Sequence, residues 1–281
     1  MESVSDPLKL PLAARAQAAL ERYVDVSLFG HGTCEADGLR IHFQHGRSNT
    51  GTRPVVVLVH GLGLSGRYML PTAQALLPHY DVFLPDLPGF GDSDKPSRLQ
   101  DIEALAASLV SWMTAMQFPR AVALLGNSLG CQVIAAALDL SPSCARAAIL
   151  QGPTTPPSER HVIHQLLRWR QNLRLDPPEM KIISRGDYVK CGRFRVWGTF
   201  YLALGDAMEE RLSRISQPAL VVRGEMDPIC RKDWAIDIAA RLPAGRLVEL
   251  PGVAHTLVFT APVPLARVTR GFLDTVMPAG A

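Results

Sequence analysis

The sequence predicts an α/β fold: a mainly parallel central sheet of about eight strands, flanked by helices, with a helical cap inserted late in the chain. Three observations carry this reading. Short apolar runs of buried type alternate with longer helical segments along most of the 281 residues. Hydrophobic residues make up 47% and charged residues 20%, which suits a sizeable core and excludes a disordered chain. One interval, from about 153 to 212, breaks the alternation with helical pieces alone.

In chain order, residues 12–23 (LAARAQAALERY) read as a helix. Residues 23–29 (YVDVSLF) and 39–45 (LRIHFQH) alternate with period two and flank the turn-rich GHGTCEADG, so they are expected to pair as antiparallel strands. Buried strands are expected at 55–59, 82–85, 121–125, 147–150, 219–223 and 247–250. Helices are expected near 68–78, 101–117, 129–140, 230–242 and 262–276. The interval 153–212 is too long for a crossover and too apolar for a loop. It divides the core into a first part, 1–152, and a second part, 213–281.

Bulk properties exclude several classes. A net charge of +3 is too small to argue for nucleic acid. Five cysteines, an odd number with no C-x-x-C pair, do not suggest a disulfide framework or a cysteine-rich zinc site. The histidines form no ligand-spaced cluster, so no metal is expected, and no cofactor. The N-terminus lacks the basic start and apolar core of a signal peptide, and no apolar run approaches a membrane span. A cytoplasmic protein without a membrane or nucleic-acid partner is expected; monomer and homodimer both stay open.

Residues 55–66 read VVVLVHGLGLSG. Gly61, Gly63 and Gly66 match the dinucleotide fingerprint G-x-G-x-x-G, and Asp86 lies 20 residues beyond the last glycine. A second stretch points elsewhere. Residues 122–133, VALLGNSLGCQV, place G-N-S-L-G between an apolar strand and a helix. A serine on such a sharp strand-to-helix turn projects its Oγ above the sheet. The helix that follows aims its positive end at the site. A nucleophilic serine needs a base, and the base needs an orienting acid. Asp227 follows one buried strand and His255 follows the next, so both fall at the same sheet edge as Ser128. Asp227 could also cap a helix through Pro228. Cys131 is read as a small buried residue, His60 as structural, and His161 and His164 as exposed.

The segments HGLG (60–63), DLPGFGDSDKP (86–96), GNSLG (126–130), RGEMDPI and PGVAH together resemble the α/β-hydrolase family, in its capped serine hydrolase form. The order Ser128, Asp227, His255 is the order of that fold. The resemblance implies that Ser128 is the nucleophile, His255 the base and Asp227 its orienting acid. It implies an oxyanion hole from the backbone N–H of Leu129 and of Leu62, with Gly63 as the alternative to Leu62. The GLGLSG loop then faces a substrate rather than a pyrophosphate.

The cap carries Arg168, Arg170, Arg174, Lys181, Arg185, Lys190, Arg193 and Arg195 against Asp176, Glu179 and Asp187. Most are expected on a solvated face. One or two, with Arg193 as the candidate, could turn inward to hold an anionic group of a small-molecule substrate. Trp169 and Trp197 are expected in the cap core or pocket wall, and Gly63 beside the substrate. The leading expectation is hydrolysis of a small ester through an acyl-enzyme. The alternatives are carbon–carbon cleavage of a ring-fission diketone, a cofactor-free haloperoxidase or perhydrolase, and a non-catalytic ligand-binding protein. Thr256 stands where carbon–carbon hydrolases of this family carry tryptophan after the histidine, which counts against that activity.

Overall fold

The computed structural model describes residues 10–48, 52–118 and 121–277. Among these, eight strands form one sheet: β1 (Gly30–Ala36), β2 (Leu39–Gly46), β3 (Val55–Val59), β4 (Asp81–Pro85), β5 (Val122–Asn127), β6 (Ala147–Gln151), β7 (Ala219–Gly224) and β8 (Gly245–Leu250). Their spatial order is β1-β2-β4-β3-β5-β6-β7-β8. β2 runs antiparallel to β1 and β4; the pairs from β4 through β8 are parallel.

The apolar run of β3 shows why the sheet is covered on both faces. Val55, Val57 and Val59 enter one core, and Val56 and Leu58 enter the other, as a period of two requires. Trp112 of α3 (Ile102–Met116), Ile134 of α4 (Leu129–Leu140) and Trp234 of α9 (Lys232–Arg241) pack in the first core. Leu70 of α2 (Leu70–Leu76) and Phe272 of α11 (Pro262–Val276) pack in the second, with Phe259 of the short α10 (Leu257–Thr260). Asp101 starts α3 cleanly by accepting the Ala104 N–H at 2.9 Å.

Between β6 and β7 the chain forms α5 (Val162–Leu175), α6 (Pro178–Cys191), α7 (Arg193–Gly205) and the short α8 (Met208–Arg211). Pro178 opens α6 at a position where a missing N–H costs nothing. The N-terminal helix α1 (Leu12–Leu20) packs against α6, not against the sheet alone.

The first strand differs from expectation. Residues 23–29 do not form it; Val26–Leu28 is a 3₁₀ turn, held by the Asp25 side chain on the Ser27 N–H. The strand falls on Gly30–Ala36, inside the stretch read as turn. The turn is only two residues, Asp37 and Gly38, with φ of 50° and 71°. Positive φ at both centres matches the twist of a tight hairpin, and Asp-Gly is the pair that supplies it. The two glycines in GHG obscured an alternation that is plain in the burial of β1. Elsewhere the expected helix near 68–78 divides into a 3₁₀ turn, Gly66–Met69, and α2. The expected helix at 230–242 starts at Lys232.

Candidate active site

β3, β5, β7 and β8 are parallel and adjacent enough that the loops after their last residues meet at one edge. Ser128 is the first residue beyond β5. Its φ of 57° and ψ of −120° lie far from ordinary L-residue geometry, a strain of about 1–3 kcal/mol that the surrounding packing must hold. The turn is possible because Gly130 has no side chain: a Cβ there would lie 2.2 Å from the Val59 carbonyl oxygen of β3. Ser128 N–H donates to the Gln151 carbonyl at 3.0 Å, fixing the elbow to β6.

His255 follows β8 and is buried. Its Nδ1 donates to Asp227 Oδ2 at 2.8 Å. That bond fixes the tautomer, leaving Nε2 with the lone pair. Nε2 is buried and has no hydrogen-bond partner among the described residues, while His255 and Ser128 line the same cavity. Burial pulls the imidazole pKa down. The Asp227 charge and hydrogen bond, with help from Asp176, outweigh it and leave the pKa raised above 6.5. Asp227 is held in turn: Oδ1 accepts the N–H groups of Ile229 at 2.8 Å and Cys230 at 2.9 Å. Helix α9 begins only at Lys232, so Asp227 organises its own loop rather than capping that helix.

The glycine fingerprint is resolved by the partners of Asp86. Its Oδ1 accepts the N–H of Gly66, the fingerprint's own third glycine, at 2.8 Å. Its Oδ2 takes the Asp92 N–H at 2.9 Å and the His42 ring at 2.8 Å. Burial would raise the Asp86 pKa, but these donors with nearby His60 hold it below the usual carboxylate range. The acid that would bind a ribose hydroxyl is consumed inside the fold. His42, Asp86 and Asp92 bring ligand-type atoms within 4.8 Å of one another, yet the hydrogen bonds just described occupy Asp86. His60 is structural, as expected. Its Nδ1 donates to the Gly61 carbonyl at 2.9 Å and its Nε2 accepts the Leu87 N–H at 2.9 Å, while burial lowers its pKa.

A chain of buried polar groups joins the loops, and sequence reading missed it. Gly61 N–H donates to the Tyr68 hydroxyl at 3.0 Å, and that hydroxyl donates to Asn127 Oδ1 at 2.5 Å. Asn127 Nδ2 donates to Gln151 Oε1 at 2.6 Å, and Gln151 Nε2 to the His255 carbonyl at 2.9 Å. The loop after β3, the turn at Ser128 and the His255 loop are thus one hydrogen-bonded unit. A signal existed: Asn127 and Gln151 are amides ending otherwise apolar strands.

The cavity measures about 760 Å³. Leu62, Ser128, Leu129 and His255 line its floor, and Trp169, Trp197 and Arg193 line its wall. Leu129 N–H sits in the first turn of α4, where no intrahelical acceptor exists. Gly63 does not line the cavity; with φ of 72°, its Cβ position lies 2.4 Å from the Tyr188 ring, which stands between it and the space. Lys181 and Arg185 line the cavity beside Arg193. Trp169 and Trp197 are 42% and 52% exposed, so they are a rim rather than a core. His161 and His164 are exposed. Cys131 is buried, and burial pushes its thiol well above its ordinary pKa, which suits a packing role.

Comparison with known proteins agrees with this architecture. The family model for the alpha/beta hydrolase fold matches residues 54–181. A pimeloyl-acyl-carrier-protein methyl ester esterase of Yersinia pseudotuberculosis is 35% identical over 248 residues, 78% of this chain and 93% of the relative. An (E)-2-((N-methylformamido)methylene)succinate hydrolase of Acinetobacter baylyi is 25% identical over 241 residues, 78% of this chain and 90% of the relative. Among solved structures, a membrane phospholipase A described as a bacterial virulence factor superposes with a TM-score of 0.78 at 22% identity, covering 97% of this chain and 94% of that one; this likeness shows the fold. The chain belongs to the α/β-hydrolase family and is an enzyme of the hydrolase class.

Proposed function

We propose that the enzyme is a serine ester hydrolase. Ser128 Oγ attacks the ester carbonyl as His255 Nε2 takes its proton. Asp227 holds the imidazole and stabilises the imidazolium. The N–H groups of Leu62 and Leu129 receive the oxyanion; each such donor contributes roughly 10²–10³ in rate. His255 returns the proton to the leaving alkoxide, and water, activated by the same imidazole, then releases the acid from the acyl-enzyme. The observation that carries this reading is the buried His255–Asp227 bond, with an unpartnered Nε2 on the same cavity as a strained Ser128.

The segment 153–212 acts as a cap in this reading, and its walls choose the substrate. They are largely apolar, including Leu166, Val196 and Phe200. Arg185 and Arg193 stand on the same wall without a carboxylate salt bridge among the described residues, and Lys181 beside them faces Asp176. A small ester with an apolar chain and an anionic end fits both features. The names of two relatives, one an esterase of a methyl ester and one a hydrolase of a succinate derivative, support an acyl group bearing a second carboxyl function. The test is a panel of methyl half-esters of dicarboxylic acids against the matching monocarboxylic methyl esters. The half-esters are expected to be preferred about threefold to fivefold in kcat/KM, the worth of one exposed ion pair of up to about 1 kcal/mol. Arg185→Glu with Arg193→Glu is expected to erase that preference. An unchanged preference in the double variant removes the anionic end from the proposal.

A further inference from the structure

His255 is held at three points: its side chain, its carbonyl and its N–H. Its side chain is held by Asp227, beyond β7. Its carbonyl accepts from Gln151 at 2.9 Å and Asn127 at 3.4 Å, at the ends of β6 and β5. Its own N–H donates to Asn172 Oδ1 at 3.2 Å, and Asn172 belongs to α5 in the segment above the sheet. The third anchor is extended by Asp176 at the end of α5. Asn172 Nδ2 donates to Asp176 Oδ2 at 2.9 Å, and the Thr256 hydroxyl donates to Asp176 Oδ1. Asn172, Asp176, His255 and Thr256 are all buried.

The third anchor differs in kind from the other two. Those come from the ends of β5 and β6 and from the loop just after β7, strands that lie between the two apolar cores. α5 buries only two side chains fully, Gln165 and Asn172, and both are amides. Gln165 donates to the Glu159 carbonyl, and Arg168 pairs with the Glu159 carboxylate. Meanwhile Ile163, Leu167, Trp169 and Leu175 of the same helix are exposed. A helix seated by polar contacts rather than an apolar face belongs to the part of a fold that opens most readily.

We propose that Asn172 and Asp176 are positioning residues for the base: with Thr256 they fasten the His255 loop to α5, so that the base is fully oriented only while α5 is seated over the cavity. This rests on the reading of His255 as the base. It gives Thr256, the residue that departs from the carbon–carbon hydrolase pattern, a role of its own. It also couples cavity closure to catalytic competence. A substrate that seats α5 through the cavity wall completes the alignment of His255, and an open cavity leaves the base loosely held.

The charged groups around His255 are few. Asp227 faces it from the loop after β7 and Asp176 from α5. Lys181 and Tyr188 of α6 face Asp176. Cys131 and Cys230 lie near Asp227, and burial keeps both thiols protonated. Asp176 is itself raised by burial, opposed by the Thr256 hydrogen bond.

The experiment follows the rate of fluorophosphonate labelling of the full chain against pH. In that reaction Ser128 Oγ bonds to phosphorus, fluoride leaves, and His255 takes the serine proton. With wild type, Asp176→Asn, Asn172→Ala, Thr256→Val and Thr256→Ser are compared, with Tm recorded for each. Asp176→Asn is expected to move the acid limb of the profile to lower pH, because a negative neighbour of the imidazolium is gone. Asn172→Ala and Thr256→Val are expected to slow the plateau rate about tenfold, the loss of roughly one hydrogen bond's worth of alignment, and Thr256→Ser to restore it. A folded Asp176→Asn with an unchanged limb and plateau overturns the proposal. Should that variant not fold, a full plateau rate in Thr256→Val overturns it equally, whereas a slowed rate rescued by Thr256→Ser upholds it. Wild type that takes no label removes the base assignment and this proposal together; labelled wild type with unchanged variants removes this proposal alone.

Discussion

The stored strain of one residue sets the first expectation. Ser128 occupies φ 57°, which glycine adopts without cost. Ser128→Gly is therefore expected to raise stability by about 1 kcal/mol in urea unfolding, while ester hydrolysis disappears. A destabilised Ser128→Gly would mean that the side chain contributes more to the fold than its backbone costs. His255 sets the second. Its pKa is raised above 6.5, and the base must be neutral to accept the serine proton. Activity is then full above that pKa and lost as pH falls through it, so the acid limb of kcat/KM is expected above 6.5. Asp227→Asn is expected to move the limb lower and to reduce kcat roughly 10⁴-fold, since the imidazole loses its tautomer. As candidates, these residues were legible in the sequence because the proposed chemistry demands a fixed type at a fixed place after a strand. Their supports were not. Asn127 occupies the free position of G-x-S-x-G, and Asn172 lies far away in a helix whose sequence resembles any polar surface helix. Only the fold shows that both end on His255.

At the scale of elements, Asp187 ties the segment after β6 to the loop after β3. Asp187 of α6 accepts Ser65 N–H and Oγ–H, each at 3.0 Å, and pairs with Arg67 at 2.6 Å. Asp187→Ala leaves the buried Ser65 N–H without its acceptor and the mostly buried Arg67 guanidinium without its carboxylate, only the Ile183 carbonyl remaining. The expected cost is about 2–3 kcal/mol by urea unfolding; a loss below half a kcal/mol would show that the loop holds its place without α6. Tyr68→Phe tests a different link, from that loop to Asn127 at the end of β5, since it strips the Gly61 N–H of its acceptor. It is expected to lower kcat/KM about tenfold through a displaced oxyanion loop, with a stability loss of about 1–2 kcal/mol; unchanged kinetics would separate that loop from the network. Element order was readable because buried parallel strands are near-continuous apolar runs. The first hairpin was not, because β1 is edge-exposed and glycine-rich, so its alternation is carried by small and polar residues. The contact of α1 with α6 joins residues so far apart in sequence that no local pattern reports it.

For the whole molecule, the proposed division of labour is between a sheet edge that holds the chemistry and a helical layer that selects what reaches it. Trp169 and Trp197 are half-exposed on the cavity wall. Replacing both with alanine is expected to raise KM for longer-chain esters about tenfold through lost apolar contact, while kcat on the smallest methyl ester changes less than about twofold. Equal effects on short and long esters would move the two tryptophans out of the binding path. Composition could announce a helical insertion rich in cations and tryptophans. It could not say which cations face the cavity, because that depends on how α5, α6 and α7 rotate about their axes.

Intact-mass detection of fluorophosphonate labelling on wild type and Ser128→Ala tests most directly whether Ser128 is an activated nucleophile. A single adduct is expected on wild type and none on the variant. No adduct on folded wild type, or equal labelling of Ser128→Ala, would contradict that role.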